Sequence, residues 1–224
     1  MDFSINSKNV FLRGSHIYGT ANENSDIDVY VVLEDSDQES LIKWGTIEED
    51  GYAHSVIMDK MDIVAMTESQ FKKGLEDHDI AFLESVWVTE SPVFFKQPVP
   101  NNYEVNIDNW KLRQSISELI NNSWAKCHKK LTVEEDYNLY IGQKSLFHVL
   151  RIINYGTQIA KTGKIHDYTC SEFKIADYDN LKALYDEIMN AETPTWEYYK
   201  EKYQPLRNAL LTEFKKYCPK PVEK

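Results

Sequence analysis

The chain of 224 residues contains few cysteines and no long apolar run. Its three cysteines, Cys127, Cys170 and Cys218, are odd in number, widely separated and without the spacing of a zinc site, which predicts free thiols. No stretch of about 20 apolar residues is available for a membrane span. The N-terminus also lacks the basic and apolar regions of a signal peptide. We therefore expect a cytoplasmic protein with no membrane partner.

Lysine and arginine are scarce in the first half of the chain. Residues 1–107 hold 7 Lys and Arg against 20 Asp and Glu, whereas residues 108–224 hold 18 against 16. Non-specific affinity for nucleic acid comes mainly from cations that neutralise phosphates, so no surface that tracks along DNA is expected. A small or locally docked acceptor fits this charge better. A short RNA end stays compatible with it, because bound metal ions would offset part of the negative field.

Prolines are concentrated in one interval. Pro92, Pro98 and Pro100, followed by Asn101-Asn102, give residues 91–107 the composition of a linker. We therefore predict a domain boundary there, with one domain at residues 1–100 and another at residues 101–224. The 42% hydrophobic content is enough for either one or two cores.

The stretch VFLRGSHIYGTANENSDIDVYVV at residues 10–32 combines residue types and spacing that specify a chemistry. Two apolar runs, residues 10–12 and 29–33, flank a polar turn, which predicts strand, turn and strand. On a strand, Asp26 and Asp28 would point to the same face. Two such carboxylates can share hard cations that hold substrate phosphates. Gly14-Ser15 would let the backbone approach a phosphate.

The turn GSHIYGT at residues 14–20, followed by SDID at residues 25–28, resembles the signature of the DNA polymerase β-like nucleotidyltransferases. The resemblance implies that Asp26 and Asp28 bind two divalent ions, Mg²⁺ or Mn²⁺. It also implies that Gly14 and Ser15 hold the triphosphate of an NTP. The alternative interpretation is a polar hairpin turn with two solvated aspartates.

A third carboxylate is expected from the same resemblance, on a strand beside the first two. MDIVAMT at residues 61–67 resembles that element, with Asp62 in the acidic place. Asp59 is the competitor, although Asp59-Lys60 is typical of a turn, so we favour Asp62. The same polar break divides the apolar segment at residues 52–66 into two strands or one bent strand.

Two short helices are predicted after this strand. Thr67 is a plausible N-cap for a helix at residues 68–76, and a second helix is expected at residues 79–86. FKKGLEDHDIAFLESVW at residues 71–87 is similar to the predicted nucleotidyltransferases that are associated with RNA ligases. Leu83-Glu84 matches a Leu-Glu pair of that group. A charge on the helix surface is the alternative for Glu84.

The second half of the chain predicts helices only. Apolar residues recur at three- and four-residue steps over residues 110–124, 137–162, 179–190 and 196–217, with Gly163 as a C-cap. Lys144, His148 and Arg151 share one stripe of the second helix. The stretch at residues 144–165 resembles the corresponding helix of the same RNA-ligase-associated group. That resemblance implies a phosphate-binding stripe, for which a solvated basic face is the alternative.

These observations predict an α+β protein, with a small mixed-sheet nucleotidyltransferase domain followed by an all-helical domain that covers the cleft. The expected reaction is metal-dependent transfer of a nucleoside monophosphate from an NTP to an RNA end, small molecule or protein, with release of pyrophosphate. The alternative is an antitoxin-like or regulatory binding protein built on the same minimal fold. The expected catalytic and metal-binding residues are Asp26, Asp28 and Asp62, and the expected nucleotide-binding residues are Gly14, Ser15, Lys144, His148 and Arg151.

Overall fold

The chain forms two compact units, Met1–Asn106 and Ile107–Lys224. The computed structural model describes residues 7–37, 55–58, 60–88 and 103–221. A mixed sheet with short helices forms the described part of the first unit, and the second is built from helices. The α+β fold class predicted from the sequence is therefore confirmed. The short amphipathic segment expected at residues 39–44 lies outside the described residues.

The sheet of the first unit is mixed. Its strands are β1 (Ser7–Arg13), β2 (Ile27–Leu33), β3 (Ser55–Met58) and β4 (Met61–Thr67), in the order β1-β2-β4-β3. β2 pairs antiparallel with β1 and parallel with β4, whereas β3 pairs antiparallel with β4. The apolar segment at residues 52–66 thus contains two strands, β3 and β4, which is one of the two alternatives that the sequence left open.

The first unit contains three described helices, α1 (Ser15–Tyr18), α2 (Glu68–Glu76) and α3 (Ile80–Trp87). α1 replaces the plain turn that the sequence predicted between β1 and β2. It is bounded by Gly14 and Gly19, whose φ angles of 74° and 73° let the chain enter and leave a helix abruptly. The predicted N-cap of α2 is confirmed, because Thr67 and Gln70 exchange side-chain to backbone hydrogen bonds in a capping box.

An aromatic cluster fixes α2 and α3 against one face of the sheet. The rings of Phe11 and Phe71 stack with centroids 4.9 Å apart, and those of Tyr30 and Phe82 stack at 5.3 Å. Phe71 and Phe82 also meet each other at 5.6 Å. Since side chains two residues apart on a strand share a face, Asp28 lies on the same face as Tyr30. The opposite face carries the buried Leu12, Val29 and Ile63.

The second unit consists of helices packed around a long central one. They are α4 (Asn109–Thr132), α5 (Leu139–Thr162), α6 (Leu181–Met189) and α7 (Trp196–Tyr217). α4 extends eight residues beyond its predicted end at residue 124. α5 ends at the predicted glycine, where Gly163 has a φ of 86°. Apolar residues fill most of the buried side of α5.

The longest helices have the length of a membrane span but not its composition. α4, α5 and α7 contain 24, 24 and 22 residues, and a span needs about 20 that are predominantly apolar. All three carry lysine or arginine along their length. Within the described ranges, no helix combines the length and the apolarity needed to cross a bilayer.

Candidate active site

Gly14 lies directly against the carboxylate of Asp28. A Cβ built on Gly14 would stand 1.8 Å from Asp28 Oδ2 and 2.7 Å from its Cγ. The φ of 74° at this position is also one that residues with a Cβ rarely adopt. Glycine is therefore required twice, by the backbone and by the carboxylate. The two halves of the sequence motif are in contact.

Ser15 opens the short helix α1 immediately after this contact. Its carbonyl oxygen accepts hydrogen bonds from Thr20 N at 3.0 Å and Ala21 N at 3.2 Å, which folds the turn tightly around Ser15. The N–H of Ile17 donates to Gly14 O at 3.1 Å, whereas the N–H groups of Ser15 and His16 precede this first hydrogen bond of the helix. Together with the Ser15 hydroxyl, such groups are suited to donate to an anion.

Asp28 and Asp62 stand side by side on neighbouring strands. The parallel register of β2 and β4 pairs Asp28 with Asp62, and strands of a sheet lie roughly 4.8 Å apart. Asp62 Oδ1 is buried and has no hydrogen-bond partner among the described residues. Leaving a buried carboxylate oxygen unbonded is unfavourable, and a cation would satisfy it. This pair therefore fits a divalent ion.

Asp26 lies one residue before β2 and its side chain is exposed. The expectation that both Asp26 and Asp28 lie on the strand is thus wrong for Asp26. Ladder pairing to β4 begins only at Ile27, whose N–H donates to Lys60 O at 2.7 Å. In the part of the chain that the structure describes, no three or more Asp, Glu, His or Cys side chains are gathered as a metal site. The role of Asp26 stays a prediction, and Asp59 lies outside the described residues.

Arg13 stands on the other side of Asp28, and the sequence analysis did not single it out. The antiparallel register pairs Arg13 with Asp28. The Arg13 guanidinium carbon lies 3.9 Å from the ring centroid of Tyr30, which is a cation–π contact. Burial raises the pKa of Tyr30 to about 12. The sequence shows an arginine directly before Gly14, but only the register of β1 and β2 shows that Arg13 lies beside Asp28.

Two further acidic residues near the turn, Asp79 and Glu84, lie at the start of α3 and within it. Burial raises the pKa of Asp79, the charge of Glu84 raises it further, and Arg13 opposes this shift. Asp79 is the N-cap of α3, where its Oδ1 accepts from Ala81 N at 2.9 Å. The candidate site thus combines Asp28 and Asp62 on the sheet with two further acidic residues, Asp79 and Glu84, on α3.

Glu84 is buried, with only 2% of its surface exposed. The interpretation of Glu84 as a charge on the helix surface is therefore wrong. α3 packs against β1 with this side chain turned inward. The Tyr18 hydroxyl donates a hydrogen bond of 2.7 Å to Glu84 Oε1. Glu84 thereby reaches α1, which directly follows Gly14.

In the second unit, Lys144, His148 and Arg151 lie on α5 as expected. Lys144 and His148 are half-buried, whereas Arg151 is only 4% exposed, so its guanidinium is not on a solvated face. Arg151 Nη2 donates to His148 Nδ1 at 3.3 Å. The Arg151 guanidinium carbon also lies 5.0 Å from the Tyr155 ring centroid. Nucleotide binding by this stripe stays a prediction.

Comparison with known proteins bears on the first unit. Residues 2–92 match the sequence model of a family described as nucleotidyltransferase domain. The comparison with curated proteins found no match. Among solved structures, the chain is similar to a nucleotidyltransferase-like protein from Exiguobacterium sibiricum 255-15, with 13% identity over 94% of this chain and 72% of the other, and a TM-score of 0.38. That likeness is too low to carry an argument.

The family match coincides with the motif. Gly14, Asp28 and Asp62 all fall inside the matched residues, whereas Lys144, His148 and Arg151 lie outside them. The narrower resemblance to the RNA-ligase-associated group stays a prediction. The match of residues 2–92 to a nucleotidyltransferase domain confirms the resemblance to the polymerase β-like superfamily that the motif at residues 14–28 predicted.

Proposed function

We propose that the protein is a metal-dependent nucleotidyltransferase that moves a nucleoside monophosphate from an NTP to an acceptor, with release of pyrophosphate. The observation that supports this most strongly is the contact of Gly14 with Asp28, with Asp62 in register beside it. Such a transfer needs a backbone turn that can bind phosphate and carboxylates that can bind metal ions. The family of residues 2–92 agrees with this chemistry.

In this proposal, Asp28, Asp62 and Asp26 would hold two Mg²⁺ or Mn²⁺ ions. The buried, unbonded Oδ1 of Asp62 and its neighbour Asp28 are the donors that the structure supports best. When bound, the ions neutralise charge that develops on the attacking and leaving oxygens. Asp26 is close in sequence and exposed, so it is free to turn toward an ion.

The protein groups would then orient the reactants. Gly14 and Ser15 hold the triphosphate through the backbone and the Ser15 hydroxyl. Lys144 and Arg151 would bring positive charge to the nucleotide, and His148 would offer it a ring N–H donor. The acceptor oxygen attacks the α-phosphorus, the bond from that phosphorus to the bridging oxygen breaks, and pyrophosphate leaves. Asp62 takes the proton of an acceptor hydroxyl.

The acceptor is an RNA end, a small molecule or a protein. The first half of the chain, with 7 Lys and Arg against 20 Asp and Glu, offers little for a long polynucleotide backbone. An acceptor that docks at one place fits this surface. Each of the three classes supplies a hydroxyl or phosphate that can attack.

The test is an incubation of the protein with each α-labelled NTP, Mg²⁺ or Mn²⁺, and separate pools of RNA, protein and small molecules. We expect label transfer in one pool with pyrophosphate release. Asp28→Asn should lower the rate by at least ~10²-fold, by analogy with the loss of one preorganised electrostatic group. Asp77→Asn is the matched control, because Asp77 is an exposed carboxylate of the same unit that pairs with Lys73.

Two outcomes would contradict the proposal. Wild-type rates in Asp28→Asn would show that transfer does not use this carboxylate. No metal-dependent turnover with any NTP and any pool would favour the alternative of a binding protein built on the same fold.

A further inference from the structure

A buried carboxylate and a buried hydroxyl meet beneath the glycine-serine turn. Tyr18 is 4% exposed and Glu84 is 2% exposed. The Tyr18 hydroxyl donates to Glu84 Oε1 over 2.7 Å. A hydrogen bond weakens steeply when donor and acceptor move out of line, so this contact restricts the direction of the Tyr18 side chain.

The bond between Tyr18 and Glu84 joins α1 to α3 with polar groups, although apolar contacts would hold the two helices together at a lower desolvation cost. Burying the polar atoms of a carboxyl group costs free energy even when they are hydrogen-bonded, and a well-packed apolar pair would avoid that cost. Burial is the main reason that the pKa values of Asp79 and Tyr30 are raised, and the neighbouring Glu84 raises both further. General stability is therefore a poor reason for Glu84 to be acidic. A fixed direction for the Tyr18 side chain is a better one.

Tyr18 is well placed to control the turn. It is the last residue of the four-residue helix α1, and Ser15 is the first, about 4.5 Å away along the helix axis. A helix this short has no stability of its own. Its orientation depends on what its ends are attached to. One end is Gly14, in contact with Asp28, and the other is Tyr18, hydrogen-bonded to Glu84.

We propose that Glu84 is a positioning residue of the nucleotide site. Through Tyr18 it fixes the orientation of α1, and so it fixes Gly14 and Ser15 against Asp28. Glu84 touches neither nucleotide nor acceptor. The proposal rests on the proposed function, because it assigns a purpose to the turn that would hold the triphosphate.

The experiment compares nucleotide affinity and stability in the same variants. The probe is the NTP that supports turnover, with Mg²⁺, and its Kd, KM and kcat are measured beside Tm. Tyr18→Phe keeps the ring and removes only the hydroxyl, so the fold should persist. We expect Kd and KM to rise about fivefold, the ratio that corresponds to one net hydrogen bond, with a smaller change in kcat. Glu84→Leu should do the same, and the double variant should add little.

Two comparisons separate positioning from a structural role. Glu84→Gln keeps an oxygen that can accept from Tyr18, so it should restore most of the affinity lost in Glu84→Leu. Tyr203→Phe is the control in the second unit, because the buried Tyr203 hydroxyl also donates to a glutamate, Glu187 Oε1, over 2.7 Å. It should lower Tm to a similar extent as Tyr18→Phe and leave Kd unchanged.

The outcomes are distinguishable. If Tyr18→Phe and Glu84→Leu lower Tm but bind the NTP as the wild type does, Glu84 is merely structural and the inference is wrong. If the wild type itself neither binds nor turns over any NTP with metal, the proposed function fails, and the inference fails with it. Affinity loss in both single variants, with recovery in Glu84→Gln, supports the inference.

Discussion

The carboxylate of Asp28 occupies the space that a Cβ on Gly14 would need, with Oδ2 only 1.8 Å from that position. The conformation of the turn and the position of the Asp28 carboxylate are therefore coupled. Neither can change without the other. The glycine that was predicted to approach a phosphate also makes room for the Asp28 carboxylate.

Gly14→Ala should therefore disable the site. The new methyl group must displace Asp28, and a residue with a Cβ is also strained at a φ of 74°. We expect turnover to fall at least ~10²-fold and the free energy of unfolding to fall by about 1–3 kcal/mol. Steady-state kinetics and denaturant unfolding measure both.

Gly163→Ala is the control for backbone strain alone. Gly163 has a φ of 86°, but a Cβ there would meet no atom within 4 Å. Its free energy of unfolding should fall by a comparable amount because of backbone strain, and its activity should be unchanged. Equal activity in Gly14→Ala and Gly163→Ala would contradict the coupling of Gly14 to Asp28.

Asp62→Ala should reduce transfer more than NTP binding, because Asp62 is assigned to the acceptor side. Removing its buried, unbonded oxygen should leave the metal-free protein as stable as before or more so. Asp59→Ala should change neither property. Single-turnover transfer and equilibrium NTP binding are the measurements. A larger effect of Asp59→Ala would reassign the third carboxylate.

Some of this site follows from local sequence, and some does not. The positions of Gly14 at a turn and of Asp28 on a strand could be predicted because turn glycines and strand alternation are local patterns, whereas Asp62 was expected from the family resemblance. The inward position of Glu84 and its bond to Tyr18 were not, since they depend on how α3 packs against β1. Helical spacing identifies a face but does not tell which neighbour covers it.

The boundaries show the same limit. The N-cap Thr67 and the C-cap Gly163 were predicted correctly, because capping is a property of a few adjacent residues. The strand that was expected to contain Asp26 begins at Ile27. Its start depends on where β4 begins to pair with it, 34 residues further along the chain.

The raised pKa of Asp79 predicts a pH-dependent stability. Because burial holds this pKa above its ordinary value of 3.8, ionisation is easier in the unfolded chain than in the folded protein. Below about pH 3.8 both states keep the proton, and the wild type loses stability as the pH rises through the folded pKa. Asp79→Asn keeps an N-cap and removes this loss. Its Tm advantage over the wild type should therefore grow from about pH 3.5 to about pH 7.

The control for this comparison is Asp108→Asn, the same substitution at the exposed N-cap of α4. It should show no advantage that grows with pH. A constant difference between Asp79→Asn and the wild type across this range would contradict the buried charge as its cause.

Lys144→Ala tests the stripe on α5 most cleanly, since Lys144 is half-buried whereas Arg151 is buried and its removal would also destabilise the helix. If Lys144 contacts the triphosphate, KM for the NTP should rise about tenfold, which corresponds to about 1.4 kcal/mol. Tm should barely change. Lys182→Ala removes a surface lysine that pairs with Asp186 and is the control. Unchanged KM in Lys144→Ala would contradict a contact of Lys144 with the triphosphate.

The most direct measurement of the central claim is Mn²⁺ binding, read as free Mn²⁺ by electron paramagnetic resonance, with and without an NTP. The claim is that Asp28 and Asp62 hold the ions that the nucleotide needs, and this readout does not require the acceptor to be known. We expect the wild type and Asp77→Asn to bind Mn²⁺ more tightly when the NTP is present, because each ligand must favour the other reciprocally. Asp28→Asn and Asp62→Asn should weaken that binding by at least ~10-fold. Equal Mn²⁺ affinity in all four proteins would contradict the claim.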